Sequence, residues 1–390
     1  MAYRNPSPPP DASPLPEEGT HDEEMVDQVG DTVFSKSWLL SVMAKTVADT
    51  RYKRQGAVNK DSISKEPNSA GGDGSIKVVE EVNKNKTNED EDPVTELDDD
   101  MEDELCKLWD ASMNEDVAFF LHGHHAPLLL LHVNLESTSP RLSEICAGVV
   151  ANLVCHLSIA KDVTEDDEIV CLICDSLFSS DPATLLETCR LMHTCLSHST
   201  LAQSWTNTLG VREVKDQLLF ILHSSTHDEL VAKVLQVIER LMDESSELLK
   251  VWSNPELISA VYDASSIASS AQEMSPHLSL LQLVSTSSDG VVTLGECSKE
   301  VSSLVGQYFS LLAEEDYDVS LQSQAFGLTA ALSVLNILLE NGLDKSKLSS
   351  ITEIQHVLKQ LHDNSQSNNE SSDIGSLLTE NVEKLIVKLQ

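Results

Sequence analysis

The chain is poor in aromatic residues, in positive charge and in long apolar runs, and each shortage closes off a class of protein. Phe, Trp and Tyr make up only 4% of 390 residues. That disfavours a β-sandwich or barrel, whose strands lean on aromatic and β-branched side chains. Against 64 Asp and Glu stand only 26 Lys and Arg, a formal net charge of −38. A nucleic-acid groove needs cations to displace condensed counterions, so direct nucleic-acid binding is not expected. The longest apolar run, Ala126 to Leu131, is far shorter than a bilayer span. The N-terminus has no basic stretch followed by an apolar one, so no secretory signal is read there. The eight cysteines are accordingly expected reduced, most of them as small buried apolar residues.

Also missing are the signatures of common catalysis. There is no Walker loop, no GxGxxG, no GxSxG and no HExxH. Neither an enzyme nor a bound cofactor is expected. One CxxC occurs, Cys171-Leu-Ile-Cys174, with Cys189, His193 and Cys195 downstream. Zinc or thiol chemistry there is the alternative reading. A zinc knuckle needs a tight turn to converge two sulfurs, and IVCLICDSLF has neither Gly nor Pro. The acids before Cys171 disfavour a thiolate. His122-Gly-His-His125 reads as a loop between helices, because it lacks the i, i+4 pairing of a helical metal site.

What the chain does have is a recurring apolar stripe. Leu142, Ile145, Cys146, Val149, Leu153 and Leu157 fall at steps of three and four, as do Leu185, Cys189, Met192 and Leu196. Leu230, Val234, Val237 and Leu241 repeat the pattern, and so do Ala325, Leu328, Leu332, Leu335 and Leu339. Each is one face of an amphipathic helix. Leu153, Leu196 and Leu241 align at a period of roughly 43 to 47 residues, that of armadillo or HEAT arrays. The expected fold is all-α: an armadillo/HEAT-like right-handed α–α superhelix behind a disordered acidic N-terminal tail.

Punctuation supports it. Ser139-Pro140, Asp181-Pro182, Asn254-Pro255 and Ser275-Pro276 each set a capping residue before a Pro that suits the first helical position. Thr226-His-Asp-Glu229 reads as a capping box. The period weakens between Ser265 and Leu294, where Ser is dense. The domain plan is a polar tail over 1–93, with a short amphipathic helix at 32–48 carrying Trp38. A helical array follows over 94–362, then a polar linker over 363–373 and a capping helix over 374–390. The helix at 32–48 is expected to dock on the array's own first helices. In such arrays the concave face binds partners. Arg141, Glu144, Asn152, Arg190, His193 and Arg240 are the polar residues of the repeat helices, and with Trp38 they are the candidate partner contacts. The competing reading of each is a tie between neighbouring turns.

The segments LCKLWDASMNEDVAFFL (105–121), SPRLSEICAGVVANLVCH (139–156) and SDPATLLETCRLMHTCLS (180–197) are similar to the serum amyloid A-like protein family, as are RNPSPPP and TVFSKSWLL (32–40). The resemblance runs to about His223 and is only pattern beyond. It implies an armadillo-like fold and a nuclear protein, with a possible cytoplasmic pool, linked to cell proliferation. It brings no catalytic residues, and the chain is read as shorter at its C-terminus than the animal members. Together the readings describe a monomeric, non-enzymatic protein–protein scaffold.

Overall fold

The computed structural model describes residues 27–63, 96–209, 213–314, 325–343, 345, 348, 350–367 and 382–389. The acidic tail expected before residue 27, and the linker stretches 64–95 and 368–381, lie outside them. Every named element among the described residues is a helix, apart from an isolated bridge between Gln28 and Ser35. The all-α array read from the stripes is the architecture observed.

Three helices repeat. A short first helix leads into a second, and the third carries the stripe. The third helices are α2 (Asp99–Ala111), α5 (Pro140–Leu153), α8 (Pro182–Ser197), α11 (Asp228–Glu244), α14 (Ala271–Val284) and α17 (Ala325–Glu340), each packed on the next. The second helices are α4 (Ala126–Glu136), α7 (Asp167–Ser176), α10 (Val214–Ser224), α13 (Pro255–Ala264) and α16 (Ser298–Glu314). The first helices are α3 (Glu115–Gly123), α6 (Leu157–Glu165), α9 (Ala202–Leu209), α12 (Ser246–Trp252) and α15 (Ser288–Glu296). Leu153, Leu196, Leu241 and Leu335 are all fully buried where units meet.

Both ends are closed by two-helix units. At the N-terminal end α1 (Lys36–Ile63) packs on α4 and α2. Ser35 caps it, accepting from the Trp38 N–H at 3.1 Å. Leu39, Val42 and Met43 form its buried face, and the Trp38 indole donates to the Glu104 carboxylate on α2. At the C-terminal end α18 (Ile351–Ser367) continues the second-helix column, and α19 (382–389) lies against α17. Lys388 of α19 donates to Asn336 and Glu340, and Gln355 donates to the Leu389 carbonyl at 3.0 Å.

Several boundaries differ from the sequence expectation. Helix α1 does not stop at Ala48. Arg51, Lys53, Arg54 and Gln55 follow, strong helix formers with no proline to break the ladder. Helix α18 runs through the first residues of the expected 363–373 linker to Ser367. Pro276 does not open a helix: Ser270 caps α14 and Pro276 falls inside it. The cap of α11 is His227, whose Nδ1 accepts from the Leu230 N–H at 3.2 Å, rather than Thr226. Ser139 precedes α5 without capping it, and its hydroxyl is buried with no partner. The Ser-dense stretch 265–294 holds a regular unit after all. Ser287 caps α15 by accepting from the Gly290 N–H at 3.0 Å, so those serines punctuate rather than interrupt. The short helices α6, α12 and α15 escaped the stripe reading. At seven to nine residues they are too brief to show a period, and Leu157 opens α6 half-exposed rather than closing the first stripe.

Candidate interaction face

The third helices put their polar residues on a common face, and a ladder of arginines crosses it. Arg141 on α5 donates from Nε to Glu102 at 2.8 Å, from one terminal nitrogen to Glu144 at 2.7 Å, and from the other to Cys106 Sγ at 3.4 Å. Its guanidinium lies 6.0 Å from the centroid of Trp109. The Glu144 hydrogen bond, with Glu102 behind it, raises the Arg141 pKa despite partial burial. Trp109 in turn lies on Gly148, where a Cβ would come within 2.3 Å of the indole.

The next rung uses Asn152 and Arg190. Asn152 donates to the Trp109 carbonyl at 3.2 Å and to Ser112 Oγ at 2.9 Å. Arg190 on α8 donates to Asn152 Oδ1 and to the Gly148 carbonyl, both at 3.0 Å, and to Glu187 at 2.6 Å. Arg240 on α11 donates back to the Leu196 carbonyl at 3.2 Å and pairs with Asp243 and Glu244. Arg141, Glu144, Asn152, Arg190 and Arg240 are therefore brought together as the polar seam between units. Each donor is held by a neighbouring unit or helical turn. Trp38 sits apart, at the N-terminal end, stacked on Phe34 at 6.1 Å between centroids.

His193 is different. It borders a hollow of 220 Å³ shared with Gln236, Glu239, Arg240 and Leu283. Burial, then the Lys233 and Arg240 charges, push its pKa below the ordinary histidine value. Beyond it the ladder stops. Among the described residues no side-chain hydrogen bond or ion pair joins α11 to α14, and a trough of 620 Å³ opens between them. Asp228, Glu229, Gln236 and Glu239 form one wall; Glu273, Ser275 and Ser279 face them. Burial, with Asp243 nearby, raises the Glu239 pKa. The ladder resumes past the trough, where Gln282 donates to Ser333 at 3.3 Å. None of the trough-lining residues is among the sequence candidates; of those, His193 and Arg240 line only the adjoining hollow. A signal did exist: from Val251 to Ser298 there is no Lys or Arg.

The thiol and imidazole candidates do not converge. Cys171 and Cys174 lie on one helix, α7. No group of three or more His, Cys, Asp or Glu is arranged to hold a metal among the described residues. Burial pushes the Cys189 thiol up to about 12, and the Cys146 and Cys195 thiols higher still. In HGHH, His125 takes a left-handed backbone (φ 58°) before α4, while His124 Nδ1 lies 2.8 Å from the Phe120 carbonyl and His122 3.4 Å from Asp162. No single described helix is long and apolar enough to cross a membrane.

Residues 214–388 match the family model described as the SAAL1 C-terminal domain. Protein saal1 of Danio rerio is 31% identical over 359 residues, covering 86% of this chain and 68% of the relative. The chain belongs to the SAAL1 family. Protein SAAL1 of Mus musculus is 31% identical over 365 residues, covering 85% and 69%, and that of Homo sapiens 30% identical over 337 residues, covering 80% and 65%. The chain thus spans about two thirds of the length of the SAAL1 proteins it matches. Assignment to a serum amyloid A-like family is corrected by these matches: the relatives are SAAL1 proteins, not serum amyloid A. The likeness also does not fade at His223, because the matched SAAL1 domain begins at Val214 and takes in α10 to α19.

Proposed function

We propose that this SAAL1-family chain is a non-enzymatic scaffold that holds other proteins on the face formed by its third helices. The trough between α11 and α14 is the main contact. The observation that carries this is the interruption of the ladder. On α5, α8 and α11 the face closes on itself with arginine ties. Between α11 and α14 the carboxylates Asp228, Glu229, Glu239 and Glu273 line an open groove with no Lys or Arg among its lining residues. Glu239 and Glu273 are partly buried, where a carboxylate is costly without a counter-charge, while Asp228 and Glu229 stand exposed at the rim. A partner segment carrying Lys or Arg supplies one, and Ser275, Ser279 and Gln236 supply hydrogen bonds to its backbone. The reading includes a monomeric chain acting in the nucleus in support of cell proliferation.

The test is a fluorescent dodecapeptide alternating Lys or Arg with Ser, read by anisotropy against the intact chain. The double variant Glu239→Lys/Glu273→Lys is expected to weaken binding at least tenfold, whereas reversing the exposed Asp99 and Asp100 on α2 leaves it near wild type. Equal losses from both variants would mean general attraction to a −38 chain and overturn the trough.

A further inference from the structure

We infer that His277 is an acid-sensitive latch that keeps α14 seated in the array. Its imidazole is only 2% exposed, and neither ring nitrogen has a hydrogen bond of ordinary geometry. A neutral ring can be packed in this way, at the cost of an unmet polar group. A charged ring cannot, because an ion in a dry interior without a partner is far more costly. Protonation therefore requires the ring to reach water, and α14 must lift to let it out. Its position favours such opening. Pro276, the residue before it, has no N–H, so the helix lacks one of its hydrogen bonds one turn back, at Gln272. No polar rung ties α14 to α11, as shown above.

The surroundings offer no compensating charge. Helix α14 packs against α11, α15, α16 and α17. The acids of those helices include Asp228, Glu229 and Glu239 of α11, Asp289 and Glu296 of α15, Glu300 and Glu314 of α16, and Glu340 of α17. On α14 itself Glu273 accepts from the Ser269 backbone N–H at 2.7 Å, and at the end of α13 Asp263 is held by His223 at 2.8 Å. None of these carboxylates forms a hydrogen bond or ion pair with the ring. Burial pushes its pKa down to about 4, opposed only by the backbone carbonyls of Glu273, Ala264 and Met274. The sign follows. The native pKa lies below the ordinary value near 6.5, so the unfolded or opened state binds the proton more tightly. Stability is complete above about pH 6.5 and is lost as pH falls toward 4. At pH 5 the opening equilibrium is expected to rise by about thirtyfold relative to pH 7.5. The inference stands whether or not the trough binds a partner.

Peptide-resolved hydrogen exchange on the intact chain tests it, corrected for the intrinsic pH dependence of exchange. In the wild type, protection over 264–284 is expected to fall by about thirtyfold between pH 7.5 and 5.0, while 140–153 changes little. His277→Leu, which fills the site with an apolar side chain, should remove most of that fall. His277→Gln, which cannot take up a proton, should do so even if its stability at pH 7.5 is lower. Equal pH-dependent loss in either folded variant overturns the latch. So does a wild-type profile over 264–284 that is flat between the two pH values.

Discussion

At the scale of the residue, the arginines decide how this face behaves. Arg141, Arg190 and Arg240 each tie neighbouring turns or units together. Their planar guanidinium groups reach two or three acceptors on neighbouring turns, which an ammonium could not match. Asn152 is part of the same seam and bridges α2 to α8 by donating on one side and accepting on the other. Gly148 is required there for a steric reason, since a methyl group would lie 2.3 Å from the Trp109 ring. Gly→Ala in a helix ordinarily stabilises by up to about 1 kcal/mol. Gly148→Ala is expected to do the reverse, lowering stability by about 1–3 kcal/mol as Trp109 is forced off α5. Urea unfolding checks it, and an unchanged or higher midpoint would show that the indole moves aside without loss.

At the scale of the element, the sequence was most informative where apolar residues recur over a full helix and least where the helix is short. The stripes on α5, α8, α11 and α17 were legible because fourteen to seventeen residues show the period several times. Helices α6, α12 and α15 were not, and tertiary packing rather than pattern holds such short pieces helical. The N-terminal island is the clearest case of an element whose role depends on its neighbours. Its apolar face around Leu39, Val42 and Met43 could be seen in sequence. That it forms the first second-layer helix of the array, with Trp38 reaching Glu104, could not. Trp38→Ala is expected to lower the melting temperature of the isolated chain by a few degrees, through loss of buried area and of one hydrogen bond. Unchanged stability accompanied by loss of a bound protein would assign the motif to that protein instead.

At the scale of the whole molecule, charge and architecture act together. Stacked units touch mainly their neighbours, so the array can carry different surfaces along its length without disturbing its core. The N-terminal half of the face is sealed by arginine rungs, and the centre is open and acidic. With 64 acids against 26 bases, we expect the nuclear residence proposed above to come through a protein partner rather than through nucleic acid. A tagged full-length chain is expected in the nucleus, and the Glu239→Lys/Glu273→Lys variant is expected to shift toward the cytoplasm. Wild-type protein confined to the cytoplasm would defeat the nuclear reading, and an unshifted variant would separate localisation from the trough.

Composition and period by themselves determined that this chain is an all-helical array, because a 3.6-residue stripe recurring once per unit can bury its face only against copies of itself. They also determined which leucines lie between units, since position along the stripe dictates burial. Tertiary structure alone decided which polar residues are tied and which are open. Arg190 and Glu239 look equally exposed along a helix. Only the neighbouring helix determines that Arg190 finds Asn152 and the Gly148 carbonyl while Glu239 finds no cation across α14. The same holds for His277, whose place on α14 is visible in the sequence but whose dry surroundings, with no hydrogen bond of ordinary geometry to either ring nitrogen, exist only once α14 is packed into the array.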